Sequence, residues 1–119
     1  MINIKKLIKS FKFAFSGLGA LLKKEQNFRV HVLAALVVIF FGCFFSIKLW
    51  QWCLIVLMIT LVFLLEMMNT VFERLVDIYK PRLHTYAKEI KDIMSAMVLI
   101  VALASVIIAL IIFIPYLFS

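Results

Sequence analysis

Apolar residues Ile4, Leu7, Ile8, Phe11, Phe15, Leu18 and Leu22 recur at spacings of three and four. They fall on one face of a helix running from Asn3 to about Lys24, because a helix turns once every ~3.6 residues. Lys5, Lys9, Lys12 and Ser16 occupy the other face. This pattern predicts a surface helix lying in a membrane interface, apolar face down and lysines toward headgroups. Phe13 breaks it, projecting among Lys6, Lys9 and Ser16. Beyond residue 24 the amphipathic pattern gives way to long apolar runs, which predict spans over about 30–45, 49–68 and 93–117. The first is short for a hydrocarbon layer of about 30 Å, so its flanks must extend the helix. Trp50 and Trp52 sit beside the first turn as interfacial aromatics. Lys80-Pro81 should end the second helix, since Pro disfavours helix at the residue before it. Thr85 is the expected cap of the third spanning helix. If that helix reached back to His84, then His84, Lys88, Lys91 and Ser95 would share one side. Ala102, Ser105 and Ala109 form a small-residue stripe suited to close helix packing.

Composition agrees with a single all-α integral membrane domain over 1–119: three transmembrane helices plus the N-terminal amphipathic helix. Of the 119 residues, 66% are hydrophobic and 16% charged, and the mean hydropathy is +1.16. A soluble domain carries roughly 45–50% apolar and about 25% charged residues. No short alternating segments suggest a membrane β-barrel. The basic opening residues are not followed by a short apolar stretch with a small-residue cleavage site, so they do not read as a secretory signal. Cys43 and Cys53 lie in or beside apolar runs without a CxxC pattern, which gives zinc and redox readings no support. The net charge of +7 sits next to those runs and points to an anionic membrane surface or substrate rather than nucleic acid. Seven Lys/Arg residues precede the first span, Lys48 alone occupies the first loop, and five lie around the second loop. By the positive-inside rule the N-terminus and second loop are cytoplasmic and the C-terminus is outside.

All six acidic residues, Glu25, Glu66, Glu73, Asp77, Glu89 and Asp92, lie on that same side. Glu66, Asn69, Glu73 and Asp77 stand at i, i+3, i+7 and i+11, on one helical face. Glu66 follows the start of its span by 17 residues, roughly 25 Å along the axis at about 1.5 Å per residue. It therefore falls near the inner edge of the hydrocarbon, where a lipid hydroxyl would lie. An ionisable group at that depth is costly and commonly functional. Magnesium favours one or two carboxylates plus substrate phosphates, and Glu73 with Glu25 offers such a pair. Lys88 and Lys91 add cations suited to a polyphosphate. No GxxxxGK[ST] or GxGxxG loop and no HRD-type sequence is present.

Glu66-Met67-Met68-Asn69-Thr70-Val71-Phe72-Glu73, followed by Asp77, resembles the E-x-x-N-[ST]-x-x-E-x-x-x-D signature of the prokaryotic diacylglycerol kinase family. His84, Lys91-Asp92 and Ser95 follow at matching distances, and Gly17-Leu18, Glu25 and Asn27-Phe28-Arg29 match upstream. The likeness covers nearly the whole chain. Lys24–His31 and the Ile112-Phe113-Ile114-Pro115 ending are most similar to Gram-positive members, which are undecaprenol kinases. The resemblance implies a homotrimer in the bacterial plasma membrane that transfers the γ-phosphate of Mg·ATP to a lipid alcohol. It implies Glu66 as catalytic base, Glu25 and Glu73 as holders of Mg²⁺, and Asn69 and Ser95 on the lipid side. It implies nucleotide contacts from Lys6, Phe13, Glu25, Glu73, Arg82, His84, Lys91 and Asp92. Phe13 falls where the family has a tyrosine, and Lys6 where the best-known member has an arginine. Arg74, Ile90, Met94 and Met97 stand where smaller residues are usual, which bears on packing and lipid choice.

Phosphorylation of undecaprenol, to give undecaprenyl phosphate for cell-envelope synthesis, is the leading expectation, with diacylglycerol kinase as the alternative. A proton- or ion-coupled transporter would also place carboxylates in a span, but near the midplane. A noncatalytic scaffold would explain the spans and lysines but not the register of the polar residues.

Overall fold

The computed structural model describes residues 1–82 and 84–119. They form four helices: α1 (Ile4–Lys24), α2 (Gln26–Phe45), α3 (Leu49–Ile78) and α4 (Ala87–Leu117). Three of them, α2 to α4, are long and apolar enough to cross a membrane. At 30 and 31 residues, α3 and α4 reach about 45 Å, against about 30 Å of hydrocarbon. Their charged ends, carrying Glu73 to Asp77 and Lys88 to Asp92, therefore project beyond the apolar layer. The α2 helix starts at Gln26, so the short apolar run is extended by its N-terminal flank.

The amphipathic α1 opens on Asn3, whose Oδ1 accepts the Lys6 amide at 3.3 Å. Every residue from Met1 to Leu18 is exposed, apolar face included, as suits a helix whose partner is lipid. The junction with α2 is a single residue. Glu25 is extended (φ −109°, ψ 110°) and caps both helices. Arg29 Nη1 donates to the carbonyls of Leu22 and Lys23 at 3.0 and 2.9 Å, satisfying the end of α1 from the first turn of α2.

At the opposite end the three long helices are cinched together. Ile47, Ile55 and Ile112 form a buried core with Phe45, Trp52, Phe113 and Tyr116 packed against it. Gln51 Oε1 accepts the Lys48 amide at 2.9 Å and the Tyr116 hydroxyl at 2.7 Å, tying the start of α3 to the end of α4. The turn from α2 is closed by Ser46 in the left-handed region (φ 50°). There the Ser46 and Ile47 amides bond the carbonyls of Cys43 and Gly42. Gly42 sits under the Trp52 ring, where an added Cβ would come within 2.6 Å of it.

The third junction departs from the expectation. The α4 helix begins at Ala87 with Tyr86 as cap, and the Tyr86 side chain makes no capping hydrogen bond. The Tyr86 carbonyl takes the first helical hydrogen bond, from the Ile90 amide at 2.9 Å. Thr85 stands one residue too early to cap, and His84 lies in the loop, off the side shared by Lys88, Lys91 and Ser95.

Candidate functional site

The polar face of α3 runs from buried to solvated. Glu66 is 2% exposed, Asn69 and Thr70 are buried, Glu73 is half-buried and Asp77 is exposed. The gradient follows from one helix leaving the bundle while its i, i+3, i+7 face keeps the same heading. Thr70 turns its hydroxyl back to the Glu66 carbonyl at 3.1 Å. Asn69 Oδ1 is buried without a hydrogen-bond partner among the described residues. A buried polar oxygen in that state is costly, and in a native site it calls for a ligand or water.

His31 meets Glu66 from α2, with Nε2 3.3 Å from Oε2. One turn toward the α1 junction, Phe28 packs on Phe63 with ring centroids 5.4 Å apart. Glu25 and Glu73 lie close enough to raise the local negative potential at Glu66. Glu25 Oε1 also contacts Arg74 Nη2 at 3.4 Å. Two carboxylates are suitable oxygen donors for a hard divalent cation that also binds phosphates. Among the described residues, no three His, Cys, Asp or Glu side chains gather as a preformed metal site.

The remaining predicted residues are more dispersed. Lys91 Nζ holds Asp77 Oδ1 at 2.6 Å, and Lys88 Nζ holds Asp92 Oδ2 at 2.7 Å. The hydrogen bond from Lys91 holds the Asp77 carboxyl below its usual pKa, and the same bond holds the Lys91 ammonium above its own. Asp77 is exposed and Lys91 partly so, so the pair is weakly stabilising. Arg82 and His84 are exposed in the α3–α4 loop. Lys6 and Phe13 stand exposed on α1, and neither side chain forms a hydrogen bond or ion pair among the described residues. Ser95 is exposed, while its neighbour Met94 is buried. The structure thus gathers Glu66, Asn69, Glu25 and Glu73, and it leaves Lys6, Phe13 and Ser95 on outward faces of the chain.

A cleft of about 220 Å³ opens beside this group. His31, Ala34 and Ala35 line it from α2, Val62 and Phe63 from α3, and Ser105 and Ala109 from α4. The small-residue stripe of α4 therefore faces an apolar space rather than a tightly packed helix. Among the described residues, His31 is the one ionisable residue in the lining.

The sequence profile described as Prokaryotic diacylglycerol kinase matches residues 12–113. The chain belongs to the prokaryotic diacylglycerol kinase family. Among relatives of this family, an undecaprenol kinase from Bacillus subtilis is 35% identical over 95% of this chain and 92% of its own length. A diacylglycerol kinase from Synechocystis is 31% identical over 95% of this chain and 65% of its own. A diacylglycerol kinase from Escherichia coli K12 is 28% identical over 86% of this chain and 84% of its own. No solved structure matches the chain. Arg29 and His31 join the candidate site only through the structure. In the sequence Arg29 is one of the basic residues before the first span and part of a matching tripeptide, whereas its closing of the junction that presents Glu25 depends on packing. The sequence signal for His31 is an ionisable group in the first turns of an otherwise apolar span.

Proposed function

We propose that this family member is an ATP-dependent lipid kinase that phosphorylates undecaprenol. The observation that carries the reading is Glu66: a carboxylate buried where the apolar cleft meets the charged end of the bundle. A lipid alcohol has its two halves on either side of that boundary.

In the proposed reaction the lipid hydroxyl oxygen attacks the γ-phosphorus of Mg·ATP and forms a new P–O bond. The bond from γ-phosphorus to the bridging oxygen breaks, and ADP leaves with that electron pair. Glu66 takes the hydroxyl proton as the oxygen attacks. Glu25 and Glu73 would hold the Mg²⁺ bound to ATP, which would lower the charge on its phosphates. Asn69 Oδ1, without a partner among the described residues, accepts a hydrogen bond from the substrate side. Lys91, released from Asp77, neutralises phosphate charge, with Asp92, Arg82 and His84 around the nucleotide. Lys6 and Phe13 reach the same nucleotide from α1, and Ser95 faces the lipid.

The proposal includes a homotrimer, in which the outward-facing Ser95 and the exposed α1 residues of one subunit meet the carboxylates of the next. The Lys/Arg distribution supports a plasma-membrane orientation with the N-terminus and second loop cytoplasmic and the C-terminus outside. The likeness to the Bacillus subtilis undecaprenol kinase supports a polyprenol over a glycerolipid. The test is transfer of label from γ-labelled ATP to undecaprenol and to diacylglycerol, offered separately in mixed micelles with Mg²⁺. Faster labelling of undecaprenol is expected. Preferential labelling of diacylglycerol would overturn the substrate choice, and no labelling of either lipid would overturn the kinase reading.

A further inference from the structure

The pairing of Glu66 with His31 has a role beyond tolerating a buried charge. A carboxylate removed from water needs a partner that can donate a hydrogen bond or carry opposite charge. Among the described residues, the other charged groups acting on Glu66 are the carboxylates of Glu25 and Glu73, which repel it. His31 is therefore the favourable partner among the described residues, at 3.3 Å.

The contact is built into the packing of α2 on α3. Phe28 and His31 are separated by one turn, as are Phe63 and Glu66. α2 and α3 are joined by a three-residue turn and run antiparallel, so the Phe28–Phe63 contact at 5.4 Å and the His31–Glu66 contact at 3.3 Å are crossed diagonals over the same stretch of the two helices. Phe28 is 2% exposed, so the aromatic contact is firmly seated. Its seating fixes the rotation of α2 against α3 at His31. The imidazole also lines the apolar cleft, so it stands between the space for a lipid chain and the group that meets the hydroxyl. It engages Oε2 of Glu66, which leaves Oε1 for the substrate.

We propose that His31 is a positioning residue for the kinase reaction: it holds the Glu66 carboxylate by one oxygen and turns the other toward the lipid hydroxyl at the head of the α2–α3–α4 cleft. The inference rests on Glu66 being the base. It concerns a residue that touches the base and is not itself required to touch the reacting atoms.

The test uses full-length protein in mixed micelles with Mg²⁺, ATP and undecaprenol, and compares His31→Leu, His31→Gln and Glu66→Gln. Leucine fits an apolar cleft wall but has no donor, whereas the glutamine amide can still donate to the carboxylate. His31→Leu is expected to lower kcat about ten- to a hundredfold, the order expected when a buried carboxylate loses its polar partner, with the KM for Mg·ATP changed less than about twofold. His31→Gln is expected to recover most of that loss. Adding His31→Leu to Glu66→Gln is expected to cost little more, because both changes act through one carboxylate. Thermal melts of each variant show whether the fold is retained. Wild-type kcat in a folded His31→Leu protein would overturn the inference. So would fully multiplicative losses in the double variant, or a His31→Gln protein no better than His31→Leu. If Glu66→Gln itself keeps wild-type activity, it is the reading of Glu66 as base that fails, and the two failures are told apart.

Discussion

Replacing Glu66 by glutamine changes one atom in a side chain that is 2% exposed. The amide keeps the volume and retains an oxygen to face His31, so the packing of α2 on α3 is expected to survive. What it loses is the ability to take a proton from the attacking hydroxyl. Positioned general bases contribute about 10²–10⁴ in rate. In an exposed site water supplies part of the missing function. Here Glu66 is almost fully enclosed, which places the loss in the upper part of that range, about 10³ or more, or roughly 4 kcal/mol on the barrier. Glu66→Asp tests geometry separately. It withdraws the carboxylate by about one carbon–carbon bond, and misplacement by about 1 Å commonly costs 10²-fold. The assay is initial transfer of labelled phosphate at saturating undecaprenol and Mg·ATP, with the melting temperature measured in the same detergent. Glu66→Gln retaining more than about a third of wild-type kcat with an unchanged melt would refute the reasoning.

Glu25→Gln or Glu73→Gln is expected to raise the Mg²⁺ needed for half-maximal activity by about tenfold or more, since even outer partners of metal ligands commonly cost that much. Arg74→Ala, by freeing Glu25 from its 3.4 Å contact, should lower that requirement about two- to fivefold, the range of a partly exposed ion pair; Mg²⁺ titrations at fixed ATP read both. Gly42→Ala drives a methyl into the Trp52 ring at 2.6 Å and should destabilise the fold by about 1–3 kcal/mol, seen as a lower melting temperature and a shifted Trp emission. The Asp77–Lys91 pair has its sign set by both partners. Asp77 is held below its ordinary 3.8 and Lys91 above its ordinary 10.5. Its contribution is therefore whole between those two values, fading as acid carries the pH below the first and as base carries it above the second. Melts of wild type and Asp77→Asn should differ most inside that window and converge outside it.

Much of this architecture was legible along the chain because its causes are local. An apolar run long enough to cross a bilayer forms a helix to satisfy its own backbone, and three such runs give three spans. The face carrying Glu66, Asn69, Glu73 and Asp77 follows from helical periodicity alone, and so does the amphipathic character of α1. Family membership was likewise readable from a signature within one helix. Thr85 is a good cap by type, yet α4 is capped by Tyr86, whose carbonyl takes the first helical hydrogen bond. What required the tertiary structure are relations between helices. That His31 meets Glu66, that Arg29 closes the end of α1, that Trp52 lies on Gly42, and that Ala34, Ala35, Ser105 and Ala109 enclose an open cleft all depend on the axial offset and rotation of one helix against another. Those offsets are decided by which side chains interdigitate when α2, α3 and α4 pack. The repeat of any one helix carries no record of its neighbour's height.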